Sequence, residues 1–176
     1  MEFVLKVVPF LDPWVLDEAY YREFRQTVRL VNASVPGAAI YFRSERNPSR
    51  IGVSGQYPDG VYLSYEDRGR ITVSVKREPA RAAQDIQRRF VSAYLPRFKA
   101  MMEQAYRIAQ QKMQAESVAE ELAMLLGETV RPGRDVFSIW SQHGTFVVSP
   151  GSEEPHIRLE RVYSLPPMLA VRIARV

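Results

Sequence analysis

Cysteine is absent from this chain, and histidine occurs only twice, at His143 and His156. Without cysteine there is no disulfide framework, no thiolate metal site and no thiolate nucleophile. Lysine is also scarce: Lys6, Lys76, Lys99 and Lys112 are the whole set. No apolar run approaches the ~20 residues that cross a bilayer, so no membrane span is expected. There is no glycine-rich phosphate loop, no G-x-S-x-G elbow and no H-E-x-x-H pair, which leaves the commonest P-loop, serine-hydrolase and zinc routes to catalysis without support. Low-complexity tails and Gly/Ser linkers are missing too. The start, Met1 to Lys6, lacks the basic flank and small-residue cleavage site of a secretory signal. The expectation is a soluble, cytoplasmic protein.

What is present fits a globular chain. Its 176 residues suffice for one compact domain spanning 1–176, with a block 1–78, central helices over 79–126 and a second block 127–176. A chain of this size buries roughly 70% of its extended surface, so the core needs no staples. Net charge is +4, and arginine accounts for 20 of the 24 basic residues. The guanidinium fork suits phosphate and carboxylate, although a GC-rich genome also favours arginine codons.

The longest helical pattern runs from Pro79 to Leu126. Tyr94, Phe98, Met101, Ala105 and Ile108, then Ala115, Ala119, Leu122 and Leu126, fall at alternating spacings of four and three, with Lys112 interrupting the stripe. Pro79 suits a first turn and Gly127 a stop. A single straight helix over this run is about 72 Å long, against a domain diameter of roughly 40 Å. Either it projects and pairs with another chain, or it bends. Pro96 favours a kink, and Ser117 with Glu120 reads as a capping box that breaks the helix. A coiled-coil seam is the alternative.

Elsewhere the pattern predicts strands. Phe3 to Val8 is read as a short buried strand, and Asp12-Pro13 as the start of a helix running to Val31 on the stripe Trp14, Tyr21, Phe24, Val28 and Val31. Four strands follow: Ala39 to Arg43, Arg50 to Gln56, Val61 to Tyr65 and Arg70 to Lys76. Turns fall at Tyr57-Pro58-Asp59-Gly60 and Glu66-Asp67-Arg68-Gly69. After a polar loop from Glu128 to Asp135, four more strands are expected: Val136 to Ser141, Thr145 to Ser149, His156 to Tyr163 and Met168 to Val176. The fold class is α+β: two antiparallel blocks of about four strands flanking a long, kinked central helical region, plus an N-terminal strand and helix.

Alternation separates the two faces of the first block. Ile40, Phe42, Ile51, Val53, Val61, Leu63, Tyr65, Ile71, Val73 and Val75 point to the core. Tyr41, Arg43, Arg50, Ser54, Gln56, Tyr62, Ser64, Arg70, Thr72, Ser74 and Lys76 point away. Rings for bases to stack on, with cations for phosphates, are what a single-stranded nucleic-acid platform needs. The candidate binding residues are Tyr41, Arg43, Arg50, Tyr62, Arg70 and Lys76. A plain solvated sheet face is the competing reading. The element order is similar to that of Whirly and PUR-type single-strand binders, which pair four-stranded sheets with helices.

Weaker constellations exist. His143-Gly144-Thr145-Phe146 resembles half of the motif of two-histidine phosphoesterases; its partner at His156-Ile157-Arg158-Leu159 has arginine where that family has Ser or Thr. Asp59 with Glu66-Asp67-Arg68 echoes restriction-type nucleases, with arginine in place of lysine. Glu116, Glu120 and Glu121 form an acidic patch that more simply suits a helix start. These point away from an enzyme, and no cofactor is implied. Two readings remain: a non-enzymatic nucleic-acid binder, narrowly favoured, and a protein-interaction module (an inhibitor, assembly factor or accessory subunit) acting through the long helix and sheet edges, with self-association included.

Overall fold

A computed structural model describes residues 1–64 and 68–162. Two antiparallel sheets and a long helical run make an α+β fold. The chain divides into two compact units, Met1–Ala105 and Tyr106–Val176.

The first unit starts with helix α1 (Glu2–Val7), not the expected strand. A short apolar run is ambiguous between the two states. Here Val4 and Val7 share a buried face, and Glu2 and Lys6 pair one turn apart at 2.8 Å. The helix expected over 13–31 is also replaced. Strand β1 (Trp14–Leu16), helix α2 (Glu18–Glu23) and strand β2 (Thr27–Asn32) occupy that stretch. Asp17, rather than Asp12, caps α2 by accepting from the Tyr20 N–H at 3.0 Å. In β2 burial alternates, with Val28 and Leu30 inward, a period of two that the helical stripe had passed over.

Strands β3 (Ala39–Ser44), β4 (Arg50–Gly55) and β5 (Arg70–Ser74) complete a sheet ordered β1-β2-β3-β4-β5. Val61 to Ser64, expected as a strand, are irregular; the rest of that expectation, Tyr65 with the turn residues Glu66 and Asp67, lies outside the described residues. Lys76 falls in the turn after β5 rather than on the strand.

One face of this sheet is the core of the unit. Val28, Leu30, Ile40, Phe42, Ile51, Val53 and Val73 pack with α1 and with Ile86, Phe90, Tyr94 and Phe98. Those four come from α3 (Pro79–Ile86), a π turn (Gln87–Val91) and the start of α4 (Ser92–Leu126). Tyr94 is the hub. Its hydroxyl accepts from the Ala39 N–H at 3.2 Å and can donate to the carbonyl of Gln56 at 2.6 Å or of Ala39 at 3.0 Å. Burial pushes this phenol well above its usual range.

Gly55 lets that ring in, because a Cβ there would overlap it. Gly55→Ala is therefore expected to lower stability by about 1–3 kcal/mol through overpacking. Urea unfolding followed by circular dichroism reads the change.

Helix α4 continues through Ser117, where the capping box predicts a break, and through Pro96, where a kink is predicted. Pro96 sits inside α4, and Ser117 is an exposed mid-helix residue with no capping role. A π turn at Gln87–Val91 lies upstream of the proline. Gly127 ends the helix at φ 69, where the Glu128 N–H donates to the Ala123 carbonyl at 2.9 Å and the Gly127 N–H to the Met124 carbonyl at 3.3 Å.

In the second unit, packing explains the unbroken helix. Ala115, Ala119, Leu122 and Ala123 form one buried stripe with Phe137, Ile139, Phe146 and Val148 of the second sheet. A break at Ser117 would split that stripe. The sheet runs β6 (Val130–Pro132), β7 (Phe137–Ser141), β8 (Gly144–Ser149), β9 (His156–Val162), all antiparallel. The expected loop over 128–135 thus contains an edge strand, and the expected strand over 168–176 lies outside the described residues. Phe146, fully buried at the middle of this core, is expected to cost about 3–5 kcal/mol when replaced by alanine, measured as a drop in thermal and urea stability.

Candidate nucleic-acid interface

The outward face of the first sheet follows from strand register. Arg29, Tyr41, Ser54 and Arg70 form one cross-strand row on β2 to β5. Arg43, Gly52 and Thr72 form the next, and Arg50 stands opposite Ser74. Small residues on β4 leave a trough of about 550 Å³ along that strand. Its floor is Gly52 and Ser54. Tyr41 and Arg43 stand on one side, and Arg68, Gly69 and Arg70 on the other.

The two ends of the face differ. At the β2 end, α2 leans on the sheet, with the Tyr20 ring edge-on to Tyr41 at 5.7 Å. Arg29 donates to Asp17 at 2.7 Å and to Gln56 at 3.1 Å, and the Tyr41 hydroxyl donates to the same Gln56 oxygen at 2.8 Å. The Arg29 and Arg43 guanidinium groups lie 6.0 and 5.7 Å from the Tyr41 ring. Tyr41 is half-buried in this network, so it serves as a wall rather than as a free stacking platform.

Toward β4 and β5 the face is exposed. Among the described residues Arg43 meets no carboxylate, and Arg50 donates only to Thr72 Oγ1 at 3.1 Å. Arg70 crosses above Gly52 and forms an ion pair with Glu45. A Cβ at Gly52 would run into both partners, so the glycine makes room for that pair.

Of the six residues singled out from sequence, four share this face: Tyr41, Arg43, Arg50 and Arg70. Tyr62 is 91% exposed but sits on the irregular segment after Gly60. Lys76 borders a different depression, with Arg77, Glu78 and Arg81. Pattern reading missed Asp17, Arg29 and Glu45, which set the charge of the trough. The alternation in β2 was the available signal for Arg29.

Other constellations do not assemble. His143 lies in the turn before β8, and His156 stands opposite Ser149 at the other end of that six-residue strand. That separation is about 17 Å at 3.4 Å per residue. Glu116, Glu120 and Glu121 are exposed in mid-helix rather than at a helix start. Among the described residues no group of three His, Asp or Glu side chains is placed to hold a metal ion, and no helix is long and apolar enough to cross a membrane. Compared with protein families, curated proteins and solved structures, the chain matches none of them.

Proposed function

We propose that the protein is a non-enzymatic binder of nucleic acid that holds the backbone of a strand along the β4 trough. One observation carries this reading: Arg43 stands exposed beside a groove lined by glycine and serine, with Arg68 and Arg70 across it and the exposed Arg50 further along β4 on the same face. The small residues Ser54 and Gly55 leave room for a sugar–phosphate backbone beside the Arg70–Glu45 pair, which covers Gly52, and arginines on both sides supply forked donors to its oxygens. Tyr41 lines one side rather than stacking on bases, which makes the contact mainly electrostatic.

The test is a titration of the full chain with single- and double-stranded oligonucleotides over a salt series. Binding at low salt with a steep linear fall of log affinity against log salt is expected. Absence of binding at low salt overturns the reading.

A second reading rests on α4. Tyr106, Met113 and Met124 are 64, 69 and 81% exposed and share one helical face, opposite the buried Ala115 and Ala119. Such residues are enriched at protein interfaces. Self-association through them predicts a mass in solution above that of one chain, reduced by Tyr106→Glu with Met113→Glu. Sedimentation equilibrium decides it.

A further inference from the structure

The second sheet carries a different aromatic feature. On its outward face Trp140 of β7 is 55% exposed. The Arg131 guanidinium, from the neighbouring strand β6, lies over the indole at 4.1 Å from the ring centroid. Cross-strand register sets Trp140 opposite Thr145, and Thr145 opposite Arg161. A small residue therefore separates the indole from a further arginine, two strand spacings or about 10 Å away. Arg161 is exposed, as is Arg158, which pairs with Glu160 at 2.6 Å. Among the described residues, this part of the face holds one large exposed ring and three arginines, with one carboxylate already engaged.

We infer that Trp140 and Arg131 form a stacking site for an unpaired base of a single-stranded nucleic acid, with Arg161 placed for the adjoining phosphate. The chemistry selects this occupant. An indole and a guanidinium plane both stack on the π-face of a base, and each does so without regard to base identity. The surplus of arginine beside them complements a polyanion and repels a basic peptide. A base held in a duplex keeps both faces covered by its neighbours, so the site distinguishes single from double strands. This inference goes beyond the trough reading, because it uses residues of the second unit alone.

Tryptophan emission tests it directly. The other indole, Trp14, is only 3% exposed, so collisional contact with a ligand reports on Trp140. The full chain is titrated with oligothymidylate and, separately, with a duplex of equal length. Strong quenching by the single strand, little by the duplex, and none in Trp140→Phe is the expected pattern. Trp140→Ala should weaken single-strand binding about tenfold. Because Trp140 lies on the surface, unchanged circular dichroism of both variants excludes misfolding. No quenching at saturating single strand, equal quenching by duplex, or quenching that survives in Trp140→Phe overturns the proposal. Arg43→Ala with Arg50→Ala separates the two sites. If that pair leaves affinity unchanged while quenching persists, the trough reading fails and this one stands.

Discussion

Replacing Tyr94 by alanine is expected to destabilise the protein by about 3–5 kcal/mol. Few side chains in the first unit join so many parts. The ring stacks on Phe90 at 5.5 Å and 11°, and meets Trp14, Tyr57 and Phe98 at 6.2, 5.4 and 5.7 Å. It also fills the space above Gly55 and joins α4 to β3 and to the end of β4 through its hydroxyl. Alanine leaves a cavity and an unpaired Ala39 N–H together. Tyr94→Phe isolates the second part: ring contacts stay, the hydroxyl bonds go, and the loss falls to about 1–3 kcal/mol. The same hydroxyl gives a pH signature. Burial holds the folded phenol neutral above its ordinary pKa of 10.0. Above that pH the unfolded chain gives up the proton while the folded chain keeps it, so stability falls as pH rises, until the folded phenol also ionises. Wild type should thus lose stability faster than Tyr94→Phe above pH 10, with a slope difference near one proton, read from urea midpoints across alkaline pH.

Much of this architecture was legible from periodicity. The strands β3, β4, β5, β7 and β8 lie where alternation and turn residues put them, and Pro79 and Gly127 bracket the long helical run. The failures share a cause. Over 13–31 the spacing of Tyr21, Phe24, Val28 and Val31 mimics a helix, yet Leu30 is as buried as Val28. Only pairing with β3, a contact distant in sequence, decides in favour of a strand. Ser117 and Glu120 have the chemistry of a cap, but local capping is worth about 1 kcal/mol. A stripe of four buried residues outweighs it. Local signals are thus overruled wherever a long-range face must remain continuous.

The binding face was legible in outline and blurred in detail for the same reason. Alternation placed Tyr41, Arg43, Arg50 and Arg70 on one side without any knowledge of register. What it lacked were partners from elsewhere in the chain. Asp17 belongs to a capping turn and Glu45 to the loop after β3, and each neutralises one arginine of the row. Alternation also puts Tyr62 on a strand where residues 61–64 are irregular, and the hairpin pattern around Gln142-His143-Gly144 does not mark Trp140 as an exposed ring.

Those partners shape the largest functional prediction. Arg43→Glu with Arg50→Glu should weaken nucleic-acid binding by at least about tenfold at low salt and reduce the single-strand salt slope by about 1.4, the loss of two phosphate contacts. Both side chains are exposed, so stability should change by no more than about 0.5 kcal/mol each. Glu45→Gln provides the opposite sign. It removes the negative partner of Arg70 while leaving an amide of the same shape, so Arg70 becomes available to a phosphate. Affinity should rise and the salt slope steepen. A general loss of surface structure would lower affinity in both variants. A gain with Glu45→Gln beside a loss with the double reversal requires that the charge of the trough itself governs binding. If both variants bind as wild type does, the strand runs elsewhere, and the trough is a solvated sheet face.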